Sequence, residues 1–162
     1  MLNYQLYTNL ENSFKDFLDA QVIADSVTDI NGTAVSIRVG EKKDNDWTLP
    51  CITLYEESET SPRLEIGSNL TNDKFLIILD IYATNSRERK DLARWLKEAI
   101  KNGWRYYSYS SNLSNPDSPT KVAGGLVALD FLTNGRVNLG QNVDLIDSNR
   151  HRITINCWIS GS

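Results

Sequence analysis

The sequence is poor in the residues on which most catalytic sites depend. It contains one histidine and two cysteines among 162 residues. The spacings HExxH, GxSxG, GxxxxGK[ST] and CxxC are missing, and with them the usual sequence basis of metalloproteases, serine hydrolases, P-loop enzymes and dithiol oxidoreductases. The histidine, His151, stands between Arg150 and Arg152, where we interpret it as a surface residue. We therefore expect no catalytic residues, no cofactor and no metal ion, and we expect that the protein is not an enzyme.

Long hydrophobic runs are missing as well. No apolar segment approaches the roughly 20 residues that cross a bilayer, and no basic start followed by an apolar stretch opens the chain. We expect a soluble protein with no standard export signal and no membrane partner. Cys51 and Cys157 lie in strand-like runs, where a small buried thiol is the favoured interpretation.

An excess of positive charge is also missing. The chain has 17 Lys and Arg against 21 Asp and Glu, which gives a formal net charge of −4. Tight binding to nucleic acid depends mainly on clustered Lys and Arg, so this composition disfavours it. A mildly acidic surface would suit DNA that passes the protein without sequence-specific binding, because like charges repel.

The length of the chain fits one domain. A chain of about 150 residues buries roughly two thirds of its unfolded surface around a single core. With 40% apolar and 23% charged residues, the composition is that of a globular protein. We expect one α+β domain over residues 1–160, and we interpret Gly161 and Ser162 as a candidate cloning remnant.

The apolar pattern predicts two principal helices packed on one face of a mainly antiparallel sheet of about five to seven strands. The first helix has apolar residues at spacings of three and four and ends before the turn Asn31-Gly32. These apolar residues are Leu2, Leu6, Leu10, Phe14, Phe17 and Leu18. The second helix is capped by Thr84, Asn85 or Ser86 and ends before Gly103. Its apolar stripe consists of Leu92, Trp95, Leu96, Ala99 and Ile100.

The strand before the second helix, over residues 73–83, is apolar on both faces. Phe75, Ile77, Leu79 and Ile81 alternate on one face, and the other face is nearly as apolar. Such a strand must be covered on both faces. Further strands are predicted over residues 35–39, 50–55, 104–107, 126–133 and 152–160.

Three polar segments are predicted to be long loops, over residues 40–47, 56–72 and 108–125. The second has a brief apolar step, Leu64 and Ile66, which could form one short strand. The second contains Glu56, Glu57 and Glu59, which we interpret as part of a solvated acidic loop rather than as ligands of a divalent ion. The turn Asn134-Gly135 is predicted to end the strand over residues 126–133. Loops of this kind suit binding in which the partner orders the segment.

An aromatic run follows the second helix. Its aromatic residues could form a stacking platform for bases or sugars. A strand that is buried in the sheet or in a subunit contact is the favoured alternative, since the net charge disfavours nucleic acid and aromatic residues are enriched at protein interfaces. The run comprises Trp104, Arg105, Tyr106, Tyr107 and Tyr109.

Two segments and the order of the elements carry a resemblance to a known family. The segments are residues 49–55 (LPCITLY) and residues 75–83 (FLIILDIYA), and the second leads into residues 87–92 (RERKDL). Together with the order helix, strands, doubly apolar strand, helix and further strands, they resemble the tail terminator (tail-completion) proteins of long-tailed bacteriophages. The shared pattern is structural and contains no invariant chemistry.

The resemblance implies a structural virion subunit. Such subunits form a ring, expected to be a hexamer, that caps the tail tube, ends its polymerisation and offers a docking surface to the head-side connector. The implied partners are further copies of the chain, the tail-tube protein and a head–tail connector or neck protein, with DNA passing through. The implied location is the tail–neck junction of the virion, after assembly in the host cytoplasm.

The candidate assembly interface is drawn from the predicted loops and the aromatic run. It consists of Glu56, Glu57, Glu59, Arg63, Tyr107, Tyr109 and Lys121. Two alternatives remain open. The protein could be another head–tail neck adaptor or tail-tube component, or, as a less favoured alternative, a ligand-binding or enzymatic domain that uses the aromatic run and the acidic segment.

Overall fold

The computed structural model of the protein describes residues 6–40, 48–60, 73–110, 120–136 and 150–160. These residues form two helices and six strands, which confirms an α+β fold. In chain order the elements are α1 (Leu6–Ala24), β1 (Ser36–Val39), β2 (Cys51–Thr60), β3 (Lys74–Tyr82), α2 (Ser86–Ile100), β4 (Trp104–Ser110), β5 (Thr120–Arg136) and β6 (Arg150–Ser160). None of the described helices is long and apolar enough to cross a membrane.

The six strands form one mixed, strongly curled sheet. Their order is β1-β2-β3-β6-β5-β4. The pair β1 and β2 is parallel, and the other four neighbouring pairs are antiparallel. Helix α1 contacts β4 at one edge of the sheet and also β1 and β2 near the other edge.

Strand β3 lies in the middle of the sheet and is buried on both faces, as its sequence predicts. Ile77, Leu79 and Ile81 are fully buried in the main hydrophobic cluster. On the opposite face Ile78 and Tyr82 are also buried. The buried apolar side chains of both helices belong to the same hydrophobic cluster as Ile77, Leu79 and Ile81.

Helix α1 buries the apolar stripe that its sequence predicts. Leu10, Phe14 and Leu18 are fully buried, and the ring of Phe14 stacks on Trp104 with the centroids 3.8 Å apart. Leu2 lies outside the described residues. The helix ends at Ala24, before the predicted turn Asn31-Gly32.

Helix α2 begins and ends where its sequence predicts. Asn85 is the N-cap residue, and its side chain accepts a 2.9 Å hydrogen bond from the backbone N–H of Glu88. Gly103, at φ +74°, follows the last turn. In the apolar stripe Leu96 is fully buried, whereas Trp95 is only partly buried.

Three of the loop and turn predictions are wrong where the structure describes them. Residues 56–60 continue β2, because they pair with the long apolar strand β3. Residues 108–110 and 120–125 form paired strands of β4 and β5. Asn134 and Gly135 do not form a turn but pair with Ile153 and Arg152 of β6. Residues 41–47, 61–72 and 111–119 lie outside the described residues.

Candidate assembly surface

Helix α1 carries polar side chains that satisfy the open backbone edge of β4. The Oγ of Ser13 accepts a 2.9 Å hydrogen bond from the backbone N–H of Tyr107, and Oδ1 of Asn9 accepts a 3.1 Å bond from that of Tyr109. Both Ser13 and Asn9 are buried. An unpaired edge strand is a template for pairing with another chain, so α1 protects this edge of the sheet.

The same helix reaches the opposite side of the curled sheet. The carboxylate of Glu11 accepts a 2.9 Å hydrogen bond from the backbone N–H of Glu56 on β2. This bond lies beyond the short strand β1, whose pairing with β2 stops at Leu54. Side chains of α1 therefore accept hydrogen bonds from the backbone of β4 at one edge of the sheet and from the backbone of β2 near the other edge.

A two-stranded extension projects from the six-stranded sheet. Strand β5 pairs with β6 only from Leu126 onwards, where β6 ends at Ser160. Residues 120–125 of β5 pair with β4 alone among the described strands. We call residues 106–110 and 120–125 the arm. On the arm, the apolar side chain of Val122 is 58% exposed.

Three predicted interface residues meet near the outer end of the arm, where Tyr109 pairs with Lys121. The hydroxyl of Tyr109 donates a 2.6 Å hydrogen bond to Asp16 of α1, and Nζ of Lys121 lies 2.9 Å from the same carboxylate oxygen. The Lys121 ammonium also lies over the ring of Tyr107, 4.1 Å from its centroid. The structure thus unites Tyr107, Tyr109 and Lys121 and adds Asp16, which sequence reasoning missed.

The charges in this cluster stabilise a contact between the arm and α1 and give no sign of a proton-transfer site. Burial opposes ionisation of Asp16, but the hydrogen bonds from Tyr109 and Lys121 outweigh burial and lower the pKa of Asp16. Burial and the Asp16 carboxylate raise the pKa of Tyr109. At neutral pH the carboxylate is charged and the phenol is a donor, so the pair holds the arm against α1.

The acidic candidates lie apart from this cluster, on β2. Glu57 is exposed at a β-bulge of the pairing between β2 and β3. Glu56 is partly buried, and its backbone is bonded to Glu11. Glu59 belongs to β2, but its side chain lies outside the described residues, as does all of Arg63. The prediction that Glu56, Glu57 and Glu59 lie in an acidic loop is wrong, because all three belong to β2.

The aromatic run divides between buried and partly exposed side chains. Trp104 and Tyr106 are buried in the main cluster, as the buried-strand interpretation predicts. Tyr107 and Tyr109 are partly exposed, and their rings meet edge to face with the centroids 6.5 Å apart. A continuous stacking platform is therefore not formed by the four rings.

A second exposed apolar residue is held on a rigid turn between α1 and β1. Ile30 is 94% exposed. Next to it, Oδ1 of Asp29 accepts hydrogen bonds of 2.8 Å from the backbone N–H groups of Asn31 and Thr33. An open groove of about 530 Å³ lies between this turn and the first turns of α2. The turn could be predicted from Asn31-Gly32, but no sequence pattern indicates that Ile30 is exposed.

The remaining chemically active side chains are mostly buried. Cys51 and Cys157 are buried thiols, as their sequence context predicts, and burial raises the pKa of Cys157 to about 12. His151 is half-buried rather than a surface residue, and burial and the charge of Arg89 lower its pKa. Within the described ranges, no three His, Cys, Asp or Glu residues are grouped as a metal site would require.

Comparison with known proteins adds no relative from which a function could be transferred. No model of a known protein family matches the chain, and no curated protein sequence matches it. The resemblance to tail terminator proteins therefore depends on the residues and on the element order alone.

Proposed function

We propose that this protein is a ring-forming structural subunit of the tail terminator class. In this proposal the ring, expected to be a hexamer, caps the tail tube, ends its polymerisation and provides the docking surface for the head-side connector. The subunit would use a mainly antiparallel sheet with its helices on one face, and it would not be an enzyme. The observation that carries the proposal is the unit of β3 followed directly by α2, which the chain forms over the segments that resemble tail terminator proteins.

The arm supports the assembly role. Its outer strand offers residues 120–125, which pair on only one side among the described strands. An extended segment of a second chain could add a strand there through backbone hydrogen bonds. Val122 would supply apolar contact at the same place. If the partner surface is a different part of the neighbouring copy, the contact is heterologous and can close into a ring.

The cluster near the outer end of the arm supports the same role. The contacts of Tyr109 and Lys121 with Asp16 join the arm to α1 before any partner binds. A surface that is already held in its binding conformation loses less conformational entropy on association. We therefore assign Tyr107, Tyr109 and Lys121 to the positioning of the assembly surface, with Val122 as its apolar contact.

Size-exclusion chromatography with light scattering tests this proposal. We expect wild-type protein, alone or mixed with tail-tube protein, to give a defined oligomer. Val122→Lys should shift it towards the monomer, because the new charge would have to be buried on assembly. Thr133→Lys is the matched control, since Thr133 is exposed on the same strand but pairs with β6. A strict monomer under all these conditions would contradict the proposal.

Tails assembled without the protein distinguish the terminator from its nearest alternative. Overlong tubes are expected if the protein ends polymerisation. Tails of normal length that fail to join heads would instead indicate a neck adaptor. Electron micrographs of such tails therefore test the step at which the protein acts, independently of its oligomeric state.

A further inference from the structure

Arg89, in the first turn of α2, is a buried cation. Only 6% of the residue is exposed, and its Nε is buried with no hydrogen-bond partner. Nη2 lies 3.3 Å from Oγ of Ser86, the first residue of the helix, so the guanidinium turns back towards the helix N-terminus. Arginine stays protonated in proteins, so this charge cannot be removed by losing a proton.

The acidic side chains next to Arg89 on the helix are directed elsewhere. The carboxylate of Glu88 accepts hydrogen bonds of 2.7 and 2.6 Å from the backbone N–H and the hydroxyl of Thr84. The carboxylate of Asp91 lies 3.9 Å from Arg87. Among the described residues, no carboxylate forms a salt bridge with Arg89. Burying a guanidinium without a neighbouring anion costs free energy of folding. A bound anion at Arg89 would therefore stabilise the folded protein.

The surroundings of Arg89 favour an anion. The N-terminus of α2, a helix of 15 residues, contributes the partial positive charge of its first backbone N–H groups. His151 on β6 pairs with Ile81, whose side chain lies in the same hydrophobic cluster as those of α2, and α2 contacts β6 directly. Burial and the charge of Arg89 lower the pKa of His151. A buried guanidinium, an imidazole and a helix N-terminus thus lie on the face of the sheet that α2 covers.

We propose that Arg89, the first turn of α2 and His151 form a binding site for one small oxyanion, either a phosphate or a carboxylate group. A guanidinium can bind either group through two parallel hydrogen bonds, and backbone N–H groups at a helix N-terminus suit the same ligands. The anion comes either from solution, as phosphate, or from an acidic side chain of a second copy. The site does not depend on the proposed ring.

The main test measures thermal unfolding as inorganic phosphate is added at constant ionic strength, with chloride as the reference salt. A ligand that binds only the native state raises the Tm with its concentration. We expect a saturable rise for wild type and none for Arg89→Gln. Arg94→Gln is the matched control, because Arg94 is an exposed arginine of the same helix outside its first turn. It should respond like wild type.

The only histidine of the chain supplies a second readout that does not require a variant. The ring signals of His151 in an NMR spectrum should move saturably with phosphate and stay unchanged with chloride. Arg89→Gln should abolish this movement. If that variant does not fold, the wild-type titration of His151 alone decides whether phosphate binds here.

The source of the anion is decided by a third measurement, without phosphate. If the natural anion is a carboxylate of a second copy, the Tm of wild type should rise with protein concentration, and Arg89→Gln should remove that rise. A phosphate response that depends on Arg89 supports a ligand from solution. If neither phosphate nor protein concentration raises the Tm in a way that Arg89→Gln removes, the proposed site is wrong.

Discussion

Arg152 binds the carboxylate of Asp80 through two parallel hydrogen bonds, 2.9 Å from Nε to Oδ1 and 2.8 Å from Nη2 to Oδ2. Arg150 donates a third bond to Oδ2, and its guanidinium also lies over the ring of Tyr82. The Asp80 side chain is only 2% exposed. One buried carboxylate therefore binds two arginines in the middle of the sheet, and the cluster keeps one net positive charge.

Replacing Asp80 should destabilise the protein strongly. Asp80→Asn leaves both arginines without a charged partner, and removing one member of a buried ion pair costs about 3 to 5 kcal/mol. Urea unfolding measures this loss. The control is Asp130→Asn. Asp130 pairs with Lys74, and both side chains are substantially exposed. Such surface pairs contribute about 0 to 1 kcal/mol, so the two variants should differ clearly.

The same carboxylate should make stability depend on pH in acid. Burial would raise the pKa of Asp80, but the hydrogen bonds from Arg152 and Arg150 outweigh burial and lower it. Its contribution is therefore complete above the unfolded-state pKa of about 3.9 and is lost as the pH falls through the lower folded-state value. The difference in unfolding free energy between wild type and Asp80→Asn should shrink below about pH 4. A difference that stays constant down to about pH 2 would contradict this role of Asp80.

Gly103 should tolerate no side chain. It has φ +74°, and a Cβ built there would lie 2.0 Å from the backbone oxygen of Val127. Gly103→Ala must both strain the backbone and displace β5, so we expect a loss of more than about 2 kcal/mol in chemical unfolding. Gly135→Ala is the control, because nothing lies within 4 Å of the position that a Cβ would take there. Equal stability of the two variants would contradict the end of α2 as described.

The apolar stripe of α2 should depend on Leu96 more than on Trp95. Leu96 is fully buried, and Leu96→Ala should cost about 2 to 5 kcal/mol through lost burial and a cavity. Lys97→Ala, at an exposed position of the same helix, should stay within about 0.5 kcal/mol of wild type. The helical periodicity predicts Trp95 as a core residue. Instead its Nε1 donates a 2.9 Å hydrogen bond to Asp25 at the end of α1.

Sequence patterns were informative where periodicity and burial coincide. The unit from β3 to Gly103 could be predicted because its apolar residues repeat at strand and then helix spacing, with a cap and a glycine at the ends of the helix. Residues 56–60 could not, because their polar composition favours a loop and only pairing with β3 makes them a strand. The hydrophobic pattern does not report pairing partners far along the chain.

The candidate surface shows the same limit. Tyr109 and Lys121 could be selected from the sequence as an exposed aromatic residue and a nearby cation. Asp16, however, lies 93 residues before Tyr109, and nothing in the pattern of α1 distinguishes it from other polar positions. Arg89 was visible only as part of a charged helix start. Its burial depends on how α2 packs on the sheet, which the local sequence does not determine.

The central claim, that the subunit assembles into a ring, is tested most directly by negative-stain electron microscopy of the purified protein with and without tail-tube protein. We predict uniform rings with a central hole, which Val122→Lys removes and Thr133→Lys does not. Single particles of subunit size under both conditions, at every protein concentration, would contradict the claim.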